Sequence, residues 1–193
     1  MKRYHHDFCR NAIARCRESV RGTLWAAEIG VASGENSAEM LKAFPDLHLL
    51  MIDPWSGNAD YLQSLPRKGA WAELLKDVDG LLREQQKWYE TAVRNTEFAS
   101  TRRVVIRMPS VEAATIIPDG LLSFVFIDGD HRQQSVDADM RAYWPKVRPG
   151  GIFAGHDYGT RGHISVGLAV NQWFAETGLQ FQVLGRCWYH DKV

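Results

Sequence analysis

The chain has no hydrophobic run of the ~20 residues needed to span a bilayer, so no membrane partner is expected. It has no net charge either, since 23 Lys and Arg balance 23 Asp and Glu. A neutral molecule carries no global field that would draw in nucleic acid or an anionic membrane, although local basic patches remain open. Cysteine is scarce: Cys9, Cys16 and Cys187 are odd in number and form no CxxC. Reduced thiols in a cytoplasmic protein are expected, not a disulfide framework. The opening MKRYHHDFCR is charged with no apolar segment behind it, which excludes the pattern of a secretory leader. No internal repeat or low-complexity tract is visible.

What remains is ordinary for a water-soluble fold: 193 residues, 45% hydrophobic and 24% charged. That length suits one domain over residues 1–193. Short apolar runs at 24–29, 47–52, 104–106, 121–127 and 151–154 are nearly continuous, as in parallel strands covered on both faces. Helical spacing lies between them. Ser37, Met40, Leu41 and Phe44 share one face, as do Val136, Met140, Tyr143 and Trp144, and then Val166, Val170, Trp173 and Phe174. Residues 4–20 add a helix with Phe8, Ile13 and Cys16 on its apolar side, and 181–184 with 187–190 read as a terminal hairpin across Gly185. Alternation of this kind predicts an α/β, doubly wound sheet.

Residues 56–83 break the alternation. Trp71, Leu74, Leu75, Val78, Leu81 and Leu82 form an apolar stripe, with Asp79-Gly80 as an expected interruption before a helix near Glu84. This helical insertion after the second strand is either a core element, a face that pairs two subunits in a homodimer, or a lid over the active edge.

Four motifs carry chemistry. Glu28-Ile-Gly30-Val-Ala-Ser33-Gly34 ends the first strand, where glycines let the backbone turn tightly beside a ligand. The spacing is not GxGxxG, and Glu28 would repel a pyrophosphate but attract an ammonium group. Asp53 ends the second strand, where a carboxylate can accept from two ribose hydroxyls; Trp55 beside it packs either on a ligand or in the core. Phe126-Ile-Asp128-Gly-Asp-His131 and Gly150-Gly-Ile-Phe-Ala-Gly-His156-Asp157-Tyr158 follow two further strands. Asp128, His156 and Asp157 make a plausible divalent-metal set: the carboxylates suit Mg²⁺, and the imidazole leans toward Mn²⁺. Asp128 and Asp130 have a plainer use as partners of helix N-termini.

In this order the motifs resemble those of the class I S-adenosylmethionine-dependent methyltransferases, and within them the metal-dependent sugar O-methyltransferase-like family that includes macrocin O-methyltransferase. The resemblance spans roughly residues 24–190. It implies a Rossmann-like seven-stranded sheet of order 3-2-1-4-5-7-6. It further implies Glu28, Gly30, Ser33 and Gly34 around the methionine part of the cofactor, Asp53 on the ribose and Ser110 near the adenine. Asp128 and Asp157 match metal-ligand positions, and His131 matches a histidine proposed as general base. His156 stands where relatives often carry an acidic residue. The expected reaction is methyl transfer to a hydroxyl of a small molecule, sugar or phenol-like, with His131 taking the proton, or His131 and His156 sharing the work if no metal binds. A nicotinamide dehydrogenase would want GxGxxG. A nucleic-acid methyltransferase would use Arg94, Arg102, Arg103 and Arg107 as a basic face, and a degenerate binding module would keep only the fold.

Overall fold

A computed structural model describes residues 4–19, 21–55 and 77–193. Helix α1 (Tyr4–Ser19) precedes β1 (Leu24–Ile29), α2 (Glu35–Ala43) and β2 (Leu47–Ile52). After the undescribed segment come α3 (Val78–Asn95), β3 (Arg103–Ile106), the short α4 (Ser110–Thr115) and β4 (Leu122–Ile127). The chain then runs through α5 (Gln133–Tyr143), β5 (Val147–Gly155), α6 (Ile164–Thr177), β6 (Gln182–Leu184) and β7 (Cys187–Asp191).

The seven strands order as β3-β2-β1-β4-β5-β7-β6. Strands β1 to β5 are parallel, and β7 runs antiparallel to both β5 and β6. Side chains alternate across this sheet, as the two-residue strand period demands. Ala26, Leu49, Phe124 and Phe126 pack with Phe8, Ile13, Met40 and Leu41 from α1 and α2. Their neighbours Ala27, Leu50, Val125 and Ile127 pack with Val136, Met140, Val166, Val170 and Trp173 from α5 and α6. Burial on both sides is why these strands read as unbroken apolar text.

Two boundaries differ from expectation. β5 begins at Val147, not Gly151, because a register shift between Leu122 and Phe124 lets β4 accommodate the Pro149-Gly150-Gly151 stretch. A Cβ on Gly151 would stand 2.8 Å from the Ser123 carbonyl, so only glycine passes there. The second difference is at Asp79-Gly80, which lies inside the first turn of α3 and does not interrupt it. Asp77 caps that helix, its Oδ1 accepting from the Gly80 amide at 2.6 Å, so one otherwise orphaned donor is satisfied. Val78 and Leu82, from the apolar stripe, are each 40% exposed. Leu81 also lies in α3, whereas Trp71, Leu74 and Leu75 lie outside the described residues with Tyr61, Leu62 and Leu65. No helix among the described residues is long and apolar enough to cross a membrane.

Candidate active site

The strand order reverses between β1 and β4, and open α/β sheets bind ligands at the carboxyl ends flanking such a point. Backbone hydrogen bonds lock the loops there together. The Gly30 amide donates to Ile52 O at 2.9 Å, the Asp128 amide to Ile29 O at 2.8 Å, and the His156 amide to Ile127 O at 3.0 Å. Gly30, at φ 87°, sits so close to the next loop that a Cβ would lie 2.3 Å from Asp128 O. Its requirement for glycine is therefore a close backbone approach between the first and fourth strand ends. Gly34, at φ 72°, has a packing reason too, for a Cβ would meet Ala92 Cα of α3 at 2.8 Å.

Glu28 is 3% exposed and faces α2 from below. Its carboxylate accepts from Asn36 Nδ2 at 2.9 Å and from the Ser37 hydroxyl, stitching β1 to the first turn of α2. Burial pushes its carboxyl up to about 7, against the downward pull of Ser37 and Asn36. Asp53 accepts from the Ala32 amide at 3.0 Å and the Trp55 amide at 2.8 Å, so it joins the glycine turn to the end of β2. Burial raises its pKa despite these amides. An ionised carboxylate has about four acceptor sites, so Asp53 keeps capacity for a ribose hydroxyl. Trp55 is 1% exposed. Its Nε1 donates to Ala32 O at 2.8 Å and its ring meets Tyr89 edge-on, so the indole packs in the core and braces the Asp53 turn. The Ser33 carbonyl accepts from Asn95 Nδ2 of α3 at 2.9 Å. Ser110 opens α4, its hydroxyl given to buried Asp139 of α5.

The second half of the edge gathers four residues from β4 and β5. His131 Nε2 lies 2.8 Å from Asp157 Oδ2. His156 Nδ1 lies 3.4 Å from both Asp128 Oδ1 and Asp157 Oδ2. Burial disfavours charge on His156, yet the two carboxylates outweigh it and push its pKa up to about 9. For His131 the Asp157 hydrogen bond is the leading cause of a raised pKa, with burial opposing. Burial works to raise Asp157, but its two imidazole partners hold it well below the ordinary carboxylate range. The side chain of His131 is 37% exposed against 16% for His156, so His131 is the more accessible of the two imidazoles. Asp130 takes the plainer role: it accepts from the Arg132 amide and the Ser135 hydroxyl at the start of α5.

Asp128, His156 and Asp157 offer one donor atom each within 4.8 Å of one another, a set that a divalent ion could gather. Sequence reasoning missed the neighbours that complete this edge. His163 stacks on His131 with ring centroids 3.9 Å apart, Thr160 donates to Asp157 Oδ1 at 3.1 Å, and Ser165 donates to the His131 carbonyl at 2.6 Å. Their signal was a polar run, Thr160-Arg-Gly-His163-Ile-Ser165, directly after the last motif. His5, from the first turn of α1, lies 4.8 Å from His156 ring to ring, and nothing in the α1 sequence announced it.

An acidic clasp under the glycine turn, a carboxylate closing β2 and this strand order together define the class I methyltransferase architecture. The family model described as a methyltransferase domain matches residues 27–158, and the chain belongs to that family, whose methyl donor is S-adenosylmethionine. Solved structures agree in fold. The O-methyltransferase NovP has a TM-score of 0.70 at 18% identity, covering 98% of this chain and 79% of that one. CalS11, a TDP-rhamnose 3'-O-methyltransferase of calicheamicin biosynthesis, scores 0.62 at 16% identity, covering 99% and 80%. A Staphylococcus aureus protein proposed as a caffeoyl-CoA O-methyltransferase scores 0.68 at 14% identity, covering 100% and 85%. No curated protein matches the chain.

Proposed function

We propose that this protein transfers the methyl group of S-adenosylmethionine to a hydroxyl of a small molecule, sugar or phenol-like, with His131 as the general base. The observation that carries this reading is the 2.8 Å contact of half-exposed His131 with Asp157, beside Asp128 and His156 at the active edge. The structural neighbours NovP and CalS11, which act on oxygen by name, support the choice of atom.

S-adenosylmethionine supplies an electrophilic methyl on a sulfonium. The protein must hold an acceptor oxygen in line with it and remove the oxygen's proton. Asp53 holds the ribose side, and Glu28 keeps the glycine turn rigid through α2. Asp157 orients His131 and stabilises its imidazolium once the proton has arrived. A raised pKa makes His131 a stronger base but leaves less of it free at low pH. The rate should therefore climb with pH through a midpoint above 6.5.

The chemistry of the donor set also fits a divalent ion such as Mg²⁺ or Mn²⁺, held by Asp128, Asp157 and His156, where it would lower the pKa of an acceptor hydroxyl. Nucleic acid is disfavoured as acceptor because three of the four arginines of the expected basic face bond to the fold's own carbonyls, which leaves Arg94, exposed and bonded to Thr91, as the one remaining. Arg102 donates to the carbonyls of Leu41, Phe44 and Leu47, Arg103 to Val93 O, and Arg107 to Trp55 O.

The test is transfer of a labelled methyl group to a panel of catechols, glycosides, RNA and DNA, by the intact protein and by His131→Asn. Label on a small hydroxyl compound, with the rate down by about 10²–10⁴ in the variant, is the expected outcome. Label on nucleic acid, or equal rates in both proteins, overturns the proposal.

A further inference from the structure

His163 has no part in the reaction as written, yet the fold takes some trouble to place it. It lies just before α6, in a turn closed by its own amide donating to Thr160 O at 2.9 Å, while its carbonyl accepts from the Val166 amide at 3.0 Å. The same turn is tied to Asp157 through the Thr160 hydroxyl and to the loop of His131 through Ser165. The result is two imidazoles nearly parallel, 24° apart in plane, beside one carboxylate. Donor atoms of His131, Asp157 and His163 all fall within 4.8 Å of one another.

We propose that His131, Asp157 and His163 form a second metal site, for a transition ion such as Zn²⁺, that shares Asp157 with the Asp128–His156–Asp157 group. Two imidazoles and a carboxylate suit Zn²⁺ better than Mg²⁺, which prefers oxygen alone. Three protein ligands also leave a position open for water or an acceptor oxygen. Bonds of about 2.0–2.1 Å require the donors to close by roughly 1 Å, and the half-exposed ring of His163 can swing that far by rotating its side chain. Zinc on either nitrogen of His131 occupies the ring's one lone pair and leaves its proton on the other nitrogen, which makes the site inhibitory. That consequence rests on the methyl-transfer reading above; the binding itself does not.

The experiment titrates Zn²⁺ alone into the full chain and reads affinity by calorimetry, in an Asp128→Asn background that disables the neighbouring group. The comparison is Asp128→Asn against Asp128→Asn/His163→Phe, since phenylalanine keeps the ring stack and removes only the donor. Loss of an outer partner alone costs a metal site about 10–100-fold, so loss of a direct ligand should weaken zinc by at least tenfold. Equal affinity in the two proteins overturns the site, as does absence of zinc binding in Asp128→Asn with its melting profile intact. Should Asp128→Asn not fold, the same comparison in a His156→Gln background decides in the same way. Binding of S-adenosylhomocysteine, measured in parallel, separates a failure of this site from a failure of the methyltransferase reading.

Discussion

Single residues at the active edge do two jobs at once, and Asp53 shows how to separate them. Its carboxylate ties the Ala32 and Trp55 amides together, and under the proposed function it also takes the ribose. Asp53→Ala should weaken S-adenosylhomocysteine by about 1–3 kcal/mol, the worth of hydrogen bonds to a charged group. Calorimetry checks this, and an unchanged affinity would remove the ribose from Asp53. Gly30 makes the opposite case, a residue whose need is backbone clearance. Gly30→Ala must put a methyl group 2.3 Å from Asp128 O at φ 87°, so urea unfolding should register a loss of about 1–3 kcal/mol. At this scale the sequence pointed to residues that the fold does gather at one sheet edge, but it did not show what each of them packs against. Gly30, read as room for a ligand, also leaves room for the end of the fourth strand, and Trp55, left open between ligand and core, braces Asp53 from within the core.

Among the elements, period located the seven strands and most of the helices, but it missed the short α4 and placed the start of α3 near Glu84 instead of Val78. Burial imposes that period, and it is local information. Contacts between elements are not local, and they were the part that stayed hidden. Ser110 and Asp139 are 29 residues apart, yet the Ser110 hydroxyl meets the Asp139 carboxylate and Tyr143 Oη donates to Ser110 O at 2.7 Å. This network joins α4 to α5 beneath the position expected for the adenine. Asp139 is 3% exposed, and burial pushes its pKa up to about 7 although Ser110 pulls it down. A carboxyl raised in the folded state contributes its stability fully below the unfolded value of about 3.9 and loses it as pH rises through 7. Asp139→Asn keeps the partner for Ser110 and cannot ionise. The variant should match the parent near pH 4 and exceed it by about 1–3 kcal/mol at pH 8. Parallel unfolding curves across that range would show it, and a constant difference would mean that Asp139 is not the titrating group.

For the whole molecule, the active edge is made of parts far apart in the chain that only the sheet brings together. The glycine turn and Asp53 come from β1 and β2, whereas Asp128 and the His131, His156 and Asp157 set follow β4 and β5. Periodicity does not fix strand order, because pairing depends on long-range register; here the order came from resemblance to a family and stands as expected. Two ligands that grip different halves of one edge should stabilise the fold independently. Any ligand of the folded state adds RT ln(1 + [L]/Kd), about 2.7 kcal/mol at a hundredfold excess over Kd. S-adenosylhomocysteine should raise Tm through the Asp53 half and Mn²⁺ through the Asp157 half. Asp157→Asn is the informative variant. Asp157 sits at φ 58°, a backbone that Asn tolerates, and Asn can still accept from Thr160. It loses the charge that a divalent ion requires. Melting curves of this variant should keep the S-adenosylhomocysteine shift and lose the Mn²⁺ shift, while Asp53→Ala does the reverse. A Mn²⁺ shift that survives in Asp157→Asn would take the metal away from the ends of β4 and β5. The removal of the proton would then fall to His131 and His156 without help from an ion.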